Sequence, residues 1–183
     1  MTAQVLVAGI GNIFMGDDGF GCEVIRRLSA FQFPENIRVF DFGIRGFDLA
    51  YALLDGCELT ILVDAVPRGE TPGTIYTIEP DLDQLDQLDP SNLPVETHGM
   101  DPAKVLQLVK SMGGTFNKIL LVGCEPATFG PEEGQLGLSP AVADSVDRAV
   151  QVIQDLIAEF FRNSGQTREA NKDGQEQWVA DRV

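Results

Sequence analysis

The stretch from Val5 to Leu28 constrains the fold of this chain more than any other. It opens with the apolar run Val5 to Ala8, which is typical of a fully buried strand, and continues into the glycine-rich loop Gly9 to Asn12. After the acids Asp17 and Asp18, apolar residues recur at helical spacing. This order is the first half of a βαβ unit, and open α/β sheets bind ligands outside the carboxyl ends of their strands. The sequence therefore places two carboxylates where such folds carry their chemistry.

A dinucleotide-binding loop is the first alternative, because Gly9-Ile10-Gly11 follows a predicted strand. In that pattern a third glycine falls at position 14, where this chain has Phe14. The acid pair would also repel a pyrophosphate at the helix N-terminus. A nucleotide-binding Rossmann-like domain is therefore a minor alternative, which a nucleotide-dependent rise in melting temperature would reveal.

Composition limits the classes of partner and compartment. The 183 residues, 44% of them apolar, suit one domain, and the net charge of −15 disfavours nucleic acid and anionic membranes. The three cysteines are far apart and lack CxxC spacing, which indicates reduced thiols and no zinc knuckle. We find neither a targeting segment nor an apolar run of about 20 residues. We expect a cytoplasmic protein with no contact to nucleic acid or membrane.

The remaining patterns predict a mostly parallel sheet with helices between its strands. Apolar runs predict strands over 37–40, 59–63 and 119–122, and a further strand over 74–78 runs antiparallel because the connection before it is too short for a crossover helix. Helices are predicted over 47–54, from Asp101-Pro102 and from Ser139-Pro140, where positions 142, 146, 149, 153, 156 and 160 form one apolar stripe. Residues 79–94 are expected to be a surface loop. We expect one domain over residues 1–163 and a polar, disordered tail over 164–183.

Three side chains form the favoured candidate site. Asp18 follows the first strand, Asp64 follows the predicted central strand, and His98, the single histidine, precedes a helix. The ends of neighbouring parallel strands converge on one edge, so these residues can meet. Two carboxylates and an imidazole suit a borderline divalent ion with coordination positions left open. A cysteine-histidine pair of Cys22 or Cys124 with His98 stays possible, although no local signature supports it.

Each candidate also has a purely structural interpretation. Asp17 or Asp18 could cap the following helix. Asp64 could bond only the backbone amides of its own turn, and a lone histidine is more often structural than a metal ligand. The leucines at positions 82, 85 and 88 are most simply packing residues.

Taken together, these positions and their surroundings resemble the hydrogenase maturation endopeptidases, which remove a C-terminal extension from the large subunit of [NiFe] hydrogenases after nickel insertion. The similar blocks run in family order from Val5 to about Phe161. They are Gly9-Ile10-Gly11-Asn12, Asp17-Asp18-Gly19-Phe20-Gly21, Asp41-Phe42-Gly43 with Gly46, Leu62-Val63-Asp64-Ala65, Thr97-His98, Gly123-Cys124-Glu125-Pro126 and Gly137-Leu138-Ser139.

The resemblance implies an α/β fold, a three-layer α/β/α sandwich with a small, mostly parallel sheet. It implies that Asp18, Asp64 and His98 are the metal-binding and catalytic residues. The metal would be the nickel of the substrate, a hydrogenase large-subunit precursor, with no permanent cofactor in the protease, which we expect to be a monomer. A non-catalytic nickel-sensing adaptor for the precursor is the competing function.

Two positions depart from the family pattern. Ile44-Arg45 stands where many members have a Gly-Thr type of loop, so Arg45 is expected to influence which precursor tail is accepted. Asp18 stands where some relatives carry glutamate, which would change the distance to the metal.

Overall fold

The computed structural model describes residues 4–82 and 101–164, together with the backbone of residues 169–170 and 176–177. One five-stranded sheet organises the fold. Its strands are β1 (Val5–Ile10), β2 (Ile37–Gly43), β3 (Leu59–Ala65), β4 (Ile75–Ile78) and β5 (Lys118–Cys124). They lie in the order β2-β1-β3-β5-β4.

The sheet is parallel except at one edge. Strand β1 pairs in parallel with β2 and β3, and β3 pairs in parallel with β5. Strand β4 pairs antiparallel with β5, with Ile75 opposite Cys124. The expected antiparallel edge strand is thus confirmed.

Helices cover both faces of the sheet. They are α1 (Phe20–Leu28), α2 (Gly46–Leu54), α3 (Pro102–Ser111) and α4 (Pro140–Asn163). Alternate residues of the strands point to opposite faces. Val7 and Val63 therefore pack among the apolar side chains of α1 and α4, whereas Ala8 and Leu62 pack among those of α2 and α3. The predicted three-layer α/β/α sandwich is confirmed.

Close packing of α1 against the sheet depends on Gly21. A Cβ atom at Gly21 would lie 2.2 Å from the carbonyl oxygen of Ile10 and 2.3 Å from that of Val63. Gly11, with φ of +130°, turns the chain sharply after β1. The glycine that allows a helix to approach its strands is therefore at position 21 here, and the N-terminus of α1 lies directly over β1 and β3.

The apolar stripe of α4 was predicted correctly only over its first half. Val142, Val146, Ala149 and Ile153 are buried as expected, but Ile157 and Phe161 are the buried residues further along. Leu156 and Phe160 are partly buried and pack at the edge of the same cluster. The predicted positions follow the mean repeat of 3.6 residues, whereas the buried apolar residues after Ile153 recur every fourth residue, so the buried face rotates slowly around the helix.

Several strand ends and loops differ from the sequence prediction or lie outside the described residues. Strand β2 continues to Gly43, and β3 includes Asp64. Leu82 packs beside the cluster under α2 and α3, whereas Leu85, Leu88 and His98 lie outside the described residues. In the tail, Glu169–Ala170 pairs with Glu176–Gln177, which composition did not predict. The domain boundary stays a prediction.

Across the described part of the chain, we find no helix that is both long and apolar enough to span a membrane.

Candidate functional site

Two of the predicted site residues lie at the carboxyl ends of neighbouring strands. Asp18 belongs to the short 3₁₀ turn Gly16–Gly19 that follows β1, and Asp64 is the penultimate residue of β3. Because β1 and β3 pair in parallel, their carboxyl ends share one edge of the sheet. The topology therefore brings this carboxylate pair to the edge that the sequence predicted.

Ionisation of Asp64 is unfavourable in its surroundings. It is only 6% exposed. Burial raises its pKa well above the usual value, and the charges of Asp18 and Asp101 raise it further. The N–H group of Ala65 donates to Asp64 Oδ1 at 2.9 Å, which opposes these effects only in part. Asp64 thus makes the local backbone bond of the structural interpretation and also lies within electrostatic reach of Asp18.

Asp18 is held by the loop that precedes it. Its Oδ2 atom accepts a hydrogen bond from the backbone N–H of Asn12 at 2.7 Å. Burial raises the pKa of Asp18, and this hydrogen bond lowers it in part. Its other carboxylate oxygen accepts no hydrogen bond within the described part of the chain, so Asp18 retains acceptor capacity.

Asp17, the neighbour of Asp18, has a different environment. It is fully buried. Its carboxylate accepts from the backbone N–H groups of Ala127 (2.8 Å), Thr128 (3.1 Å) and Ser139 (2.6 Å), and from the Ser139 hydroxyl (2.9 Å). The expectation that Asp17 or Asp18 caps α1 is wrong, because Gly19 occupies the N-cap position. Asp17 instead fastens the loop after β5 to the turn that carries Asp18.

The third predicted ligand cannot be placed, because His98 lies outside the described residues. Within residues 4–82 and 101–164, no group of three or more histidine, cysteine, aspartate or glutamate side chains is arranged to hold a metal ion. The set of Asp18, Asp64 and His98 therefore stays a prediction, of which the structure describes the two carboxylates.

Two further acids border the site, and neither was assigned to it from the sequence. Asp101 caps α3 as predicted, with its Oδ1 accepting from Ala103 N–H at 2.9 Å, and its charge also acts on Asp64. Asp41, near the end of β2, lies beside the Cys22 thiol. The sequence signal that could have identified Asp41 is its position near the end of a parallel strand, which is the signal that identified Asp64.

The environments of Cys22 and Cys124 disfavour the thiolate. Burial, followed by the charges of Asp41 and Asp18, raises the pKa of Cys22 to about 12. Burial also raises the pKa of Cys124. The thiolate is the reactive form of cysteine. These environments oppose the cysteine-histidine alternative for both residues.

Glu125 has a structural role. It is 5% exposed. Its carboxylate accepts from the N–H groups of Arg68 (2.7 Å) and Gly69 (3.1 Å) and from the Tyr76 hydroxyl (3.3 Å). Burial opposes ionisation of Glu125, but the backbone N–H groups of Arg68, Gly69 and Glu70 outweigh it and lower the pKa. Glu125 therefore anchors the turn between β3 and β4.

Arg45 is held within the β2–α2 turn. Its guanidinium donates to the carbonyl oxygens of Phe42 (3.1 Å) and Asp41, and it lies 5.4 Å from the centre of the Phe40 ring. The side chain also lies 3.6 Å from Asp48. An influence of Arg45 on substrate choice stays a prediction, and these contacts show that the residue shapes the turn beside Asp41.

Known proteins match this sequence and fold over most of their length. The family model described as hydrogenase maturation protease matches residues 22–156. A putative hydrogenase maturation protease of Methanocaldococcus jannaschii is 33% identical, with 82% of this chain and 94% of that protein covered. The hydrogenase expression/formation protein HupD of Rhodobacter capsulatus is 32% identical, with 85% and 72% covered.

Solved structures agree with the sequence comparison. The crystal structure of the hydrogenase 2 maturation peptidase from a Thaumarchaeota archaeon is 33% identical to this chain. It superposes with a TM-score of 0.63 over 84% of this chain and 97% of that one. Sequence and fold thus agree, and the chain belongs to the hydrogenase maturation protease family, whose members are peptide-bond hydrolases.

Proposed function

We propose that this protein removes the C-terminal extension from the precursor of a [NiFe] hydrogenase large subunit after nickel insertion, and that it recognises the bound nickel through Asp18, Asp64 and His98. The observation that carries the proposal is the buried carboxylate of Asp64, which Asp18 and Asp101 destabilise electrostatically. Perturbed acids in a cleft are typical of functional sites. A divalent ion brought by the substrate would relieve this repulsion.

The chemistry required is the hydrolysis of one peptide bond. A water molecule adds to the scissile carbonyl, the C–N bond breaks, and the departing amine takes up a proton. Nickel held by the precursor would supply positive charge beside the carbonyl. Asp64 would accept the proton of the water and return it to the amine through a carboxylate oxygen that does not contact the nickel. Asp18 would be the second oxygen donor that fixes the precursor's metal centre.

The surface beside the cleft suits contact with a folded protein. Ile44, Phe47 and Tyr51 follow β2 and are well exposed, with Phe47 at 71%. Large apolar side chains exposed together are typical of protein interaction sites. The body of the precursor would dock on this apolar surface of the β2–α2 turn.

We further propose that the protein acts as a cytoplasmic monomer without a resident cofactor.

The test is processing of a nickel-loaded precursor and of the same precursor without nickel. The proposal predicts that the wild-type protein shortens the loaded precursor, seen as a faster band on a denaturing gel, and leaves the nickel-free precursor intact. Binding of the loaded precursor without shortening would instead support the nickel-sensing adaptor. Equal cleavage of both precursors would contradict recognition of the metal.

His98→Ala tests the ligand whose position is not described. The variant should keep the wild-type melting temperature and lose processing of the loaded precursor. Complete processing by this variant would remove His98 from the proposed site.

A further inference from the structure

A groove on the α1/α4 face lies next to the candidate site. It has a volume of about 520 Å³. Its walls come from the 3₁₀ turn and the loop before it, one side of α1, the end of β2, the loop before α4 and the first turns of α4. They include Ile13, Gly16, Gly19, Arg26, Leu138 and Val146. We call it the α1/α4 groove.

The α1/α4 groove reaches the turn that carries Asp18. Gly16 and Gly19, the two ends of the turn that carries Asp18, both line it. Cys22 and Asp41 line it as well, and the charge of Asp18 acts on the Cys22 thiol. A chain segment that passes Asp18 therefore needs to cross only this short turn to enter the groove.

The size of the groove limits what it can hold. Ligand pockets of about 300–1,000 Å³ accommodate small molecules or a few residues, not folded domains. An extended chain advances about 3.3 Å per residue, so a short stretch of peptide fits. The lining is mixed, because Leu136, Leu138 and Val146 are apolar while Glu23 and Arg26 are charged. Such a lining can contact both apolar side chains and the polar backbone of a peptide.

The arrangement of surfaces identifies which part of the precursor this peptide is. The exposed side chains of Ile44, Phe47 and Tyr51 follow β2, next to α2, and α2 packs on the same sheet face as α3. The α1/α4 groove lies over the opposite face, and the carboxylate pair lies at the sheet edge between them. If the folded body docks beside α2 and the scissile bond lies at the carboxylates, the chain beyond that bond continues towards the groove.

Resting on the proposed function, we propose that the α1/α4 groove binds the first residues of the C-terminal extension, in an extended conformation, immediately beyond the scissile bond. The groove thus binds the part of the substrate that cleavage removes, and it becomes free when this product dissociates. Specificity for the extension then depends on Ile13, Leu136 and Ala143 around the groove.

Ala143→Trp tests the inference. Ala143 is exposed on α4 and lines the groove, so a larger side chain fills the groove without entering the core. We expect the variant to raise KM for the nickel-loaded precursor about tenfold or more, the loss of a contact of roughly 1.4 kcal/mol. Its affinity for a large subunit that ends at the cleavage site should stay at the wild-type value. The matched control is Gln151→Trp, which adds tryptophan to an exposed position of α4 outside the groove.

A second pair of variants covers the outcome in which Ala143→Trp fails to fold. Leu136 lines the groove and is 73% exposed, so Leu136→Asp changes its lining with little effect on stability. Met112→Asp places the same charge at an exposed apolar position at the end of α3. Only Leu136→Asp should raise KM for the precursor.

The outcomes separate this inference from the proposed function. If the wild-type protein shortens the precursor and folded groove variants do so with the wild-type KM, the groove does not bind the extension. Equal loss of affinity for the precursor and for the shortened subunit would also overturn the inference, because the groove would then contact the body. Absence of wild-type cleavage would instead contradict the proposed function.

Discussion

Asp64 and Glu125 stand at the ends of two adjacent strands and are almost equally buried, yet their environments are opposite. Among the described residues, Asp64 accepts one hydrogen bond, from the next residue, and its pKa is affected by the charges of Asp18 and Asp101. Glu125 is surrounded by backbone N–H donors and by the Tyr76 hydroxyl. The pKa of Asp64 is therefore raised and that of Glu125 is lowered. Burial alone does not identify a functional acid, whereas the balance of donors and like charges does.

Asp64→Asn should produce the largest effect on activity. Without a carboxylate at this position, processing of the loaded precursor should fall about 10²- to 10⁴-fold, the usual contribution of a general acid or base. The melting temperature should stay equal or rise at neutral pH, because the substitution removes an ionised group whose pKa is raised by folding. Activity measured by gel and stability measured by calorimetry would be compared. A large loss of stability with retained activity would show that Asp64 belongs to the structural class of Glu125.

Asp17→Ala should have the largest effect on stability. The substitution removes the acceptor of the N–H groups of Ala127, Thr128 and Ser139, three partly buried hydrogen bonds that each contribute about 0.5–1.5 kcal/mol. We expect a loss of about 3 kcal/mol in the free energy of unfolding, measured by urea denaturation. Asp17→Asn, which keeps one acceptor oxygen, should lose less. Equal stability of all three proteins would contradict the assignment of Asp17 as a fastening residue.

Glu125→Gln should change the pH dependence of stability. Because folding lowers the pKa of Glu125 from its usual value of 4.5, its stabilising contribution is present above that pH and is lost as the pH falls through the lower folded pKa. The wild-type melting temperature should therefore decrease more steeply on acidification than that of the variant. Thermal melts from pH 6 down to pH 3 check this, and parallel curves would refute the assignment.

Asp147→Asn should have the smallest effect on stability, and it serves as the reference for a solvent-exposed acid. Asp147 Oδ1 lies 2.7 Å from Arg27 Nη1, but its side chain is 81% exposed. Exposed ion pairs contribute little, so the free energy of unfolding should change by less than about 0.5 kcal/mol. Urea denaturation in low and high salt would measure it. A larger change would contradict the expectation that exposed acids of this protein contribute less to the free energy of unfolding than buried ones.

The parts of the fold that depend on local pattern could be predicted from sequence. The apolar runs of β1 and β3, the antiparallel edge strand β4 and the cap of α3 at Asp101 all follow from composition and spacing. The inner face of α4 near Ile157 could not be predicted from the alternating four- and three-residue spacing, because the apolar residues buried beyond Ile153 recur every fourth position.

The roles of the acids needed the structure. Asp17 and Asp18 are adjacent residues of the same type. The carboxylate of Asp17 accepts a hydrogen bond from Ser139 before α4, whereas that of Asp18 accepts one from Asn12. The partners of Asp17 lie more than a hundred residues away in sequence, and neither residue type nor spacing identifies them. Their positions after predicted strands singled out Asp18 and Asp64 in the sequence, and the family resemblance implied the same pair. The structure gives the electrostatic reason to single out this pair, since the charge of Asp18 raises the pKa of Asp64 at one edge of the sheet.

The most direct test of the central claim is anomalous diffraction at the nickel edge from crystals of this protein bound to nickel-loaded precursor. We predict one nickel peak within coordination distance, about 2.0–2.2 Å, of oxygens from Asp18 and Asp64 and of a His98 ring nitrogen. A nickel position remote from Asp64, or a His98 ring on another face of the protein, would contradict it.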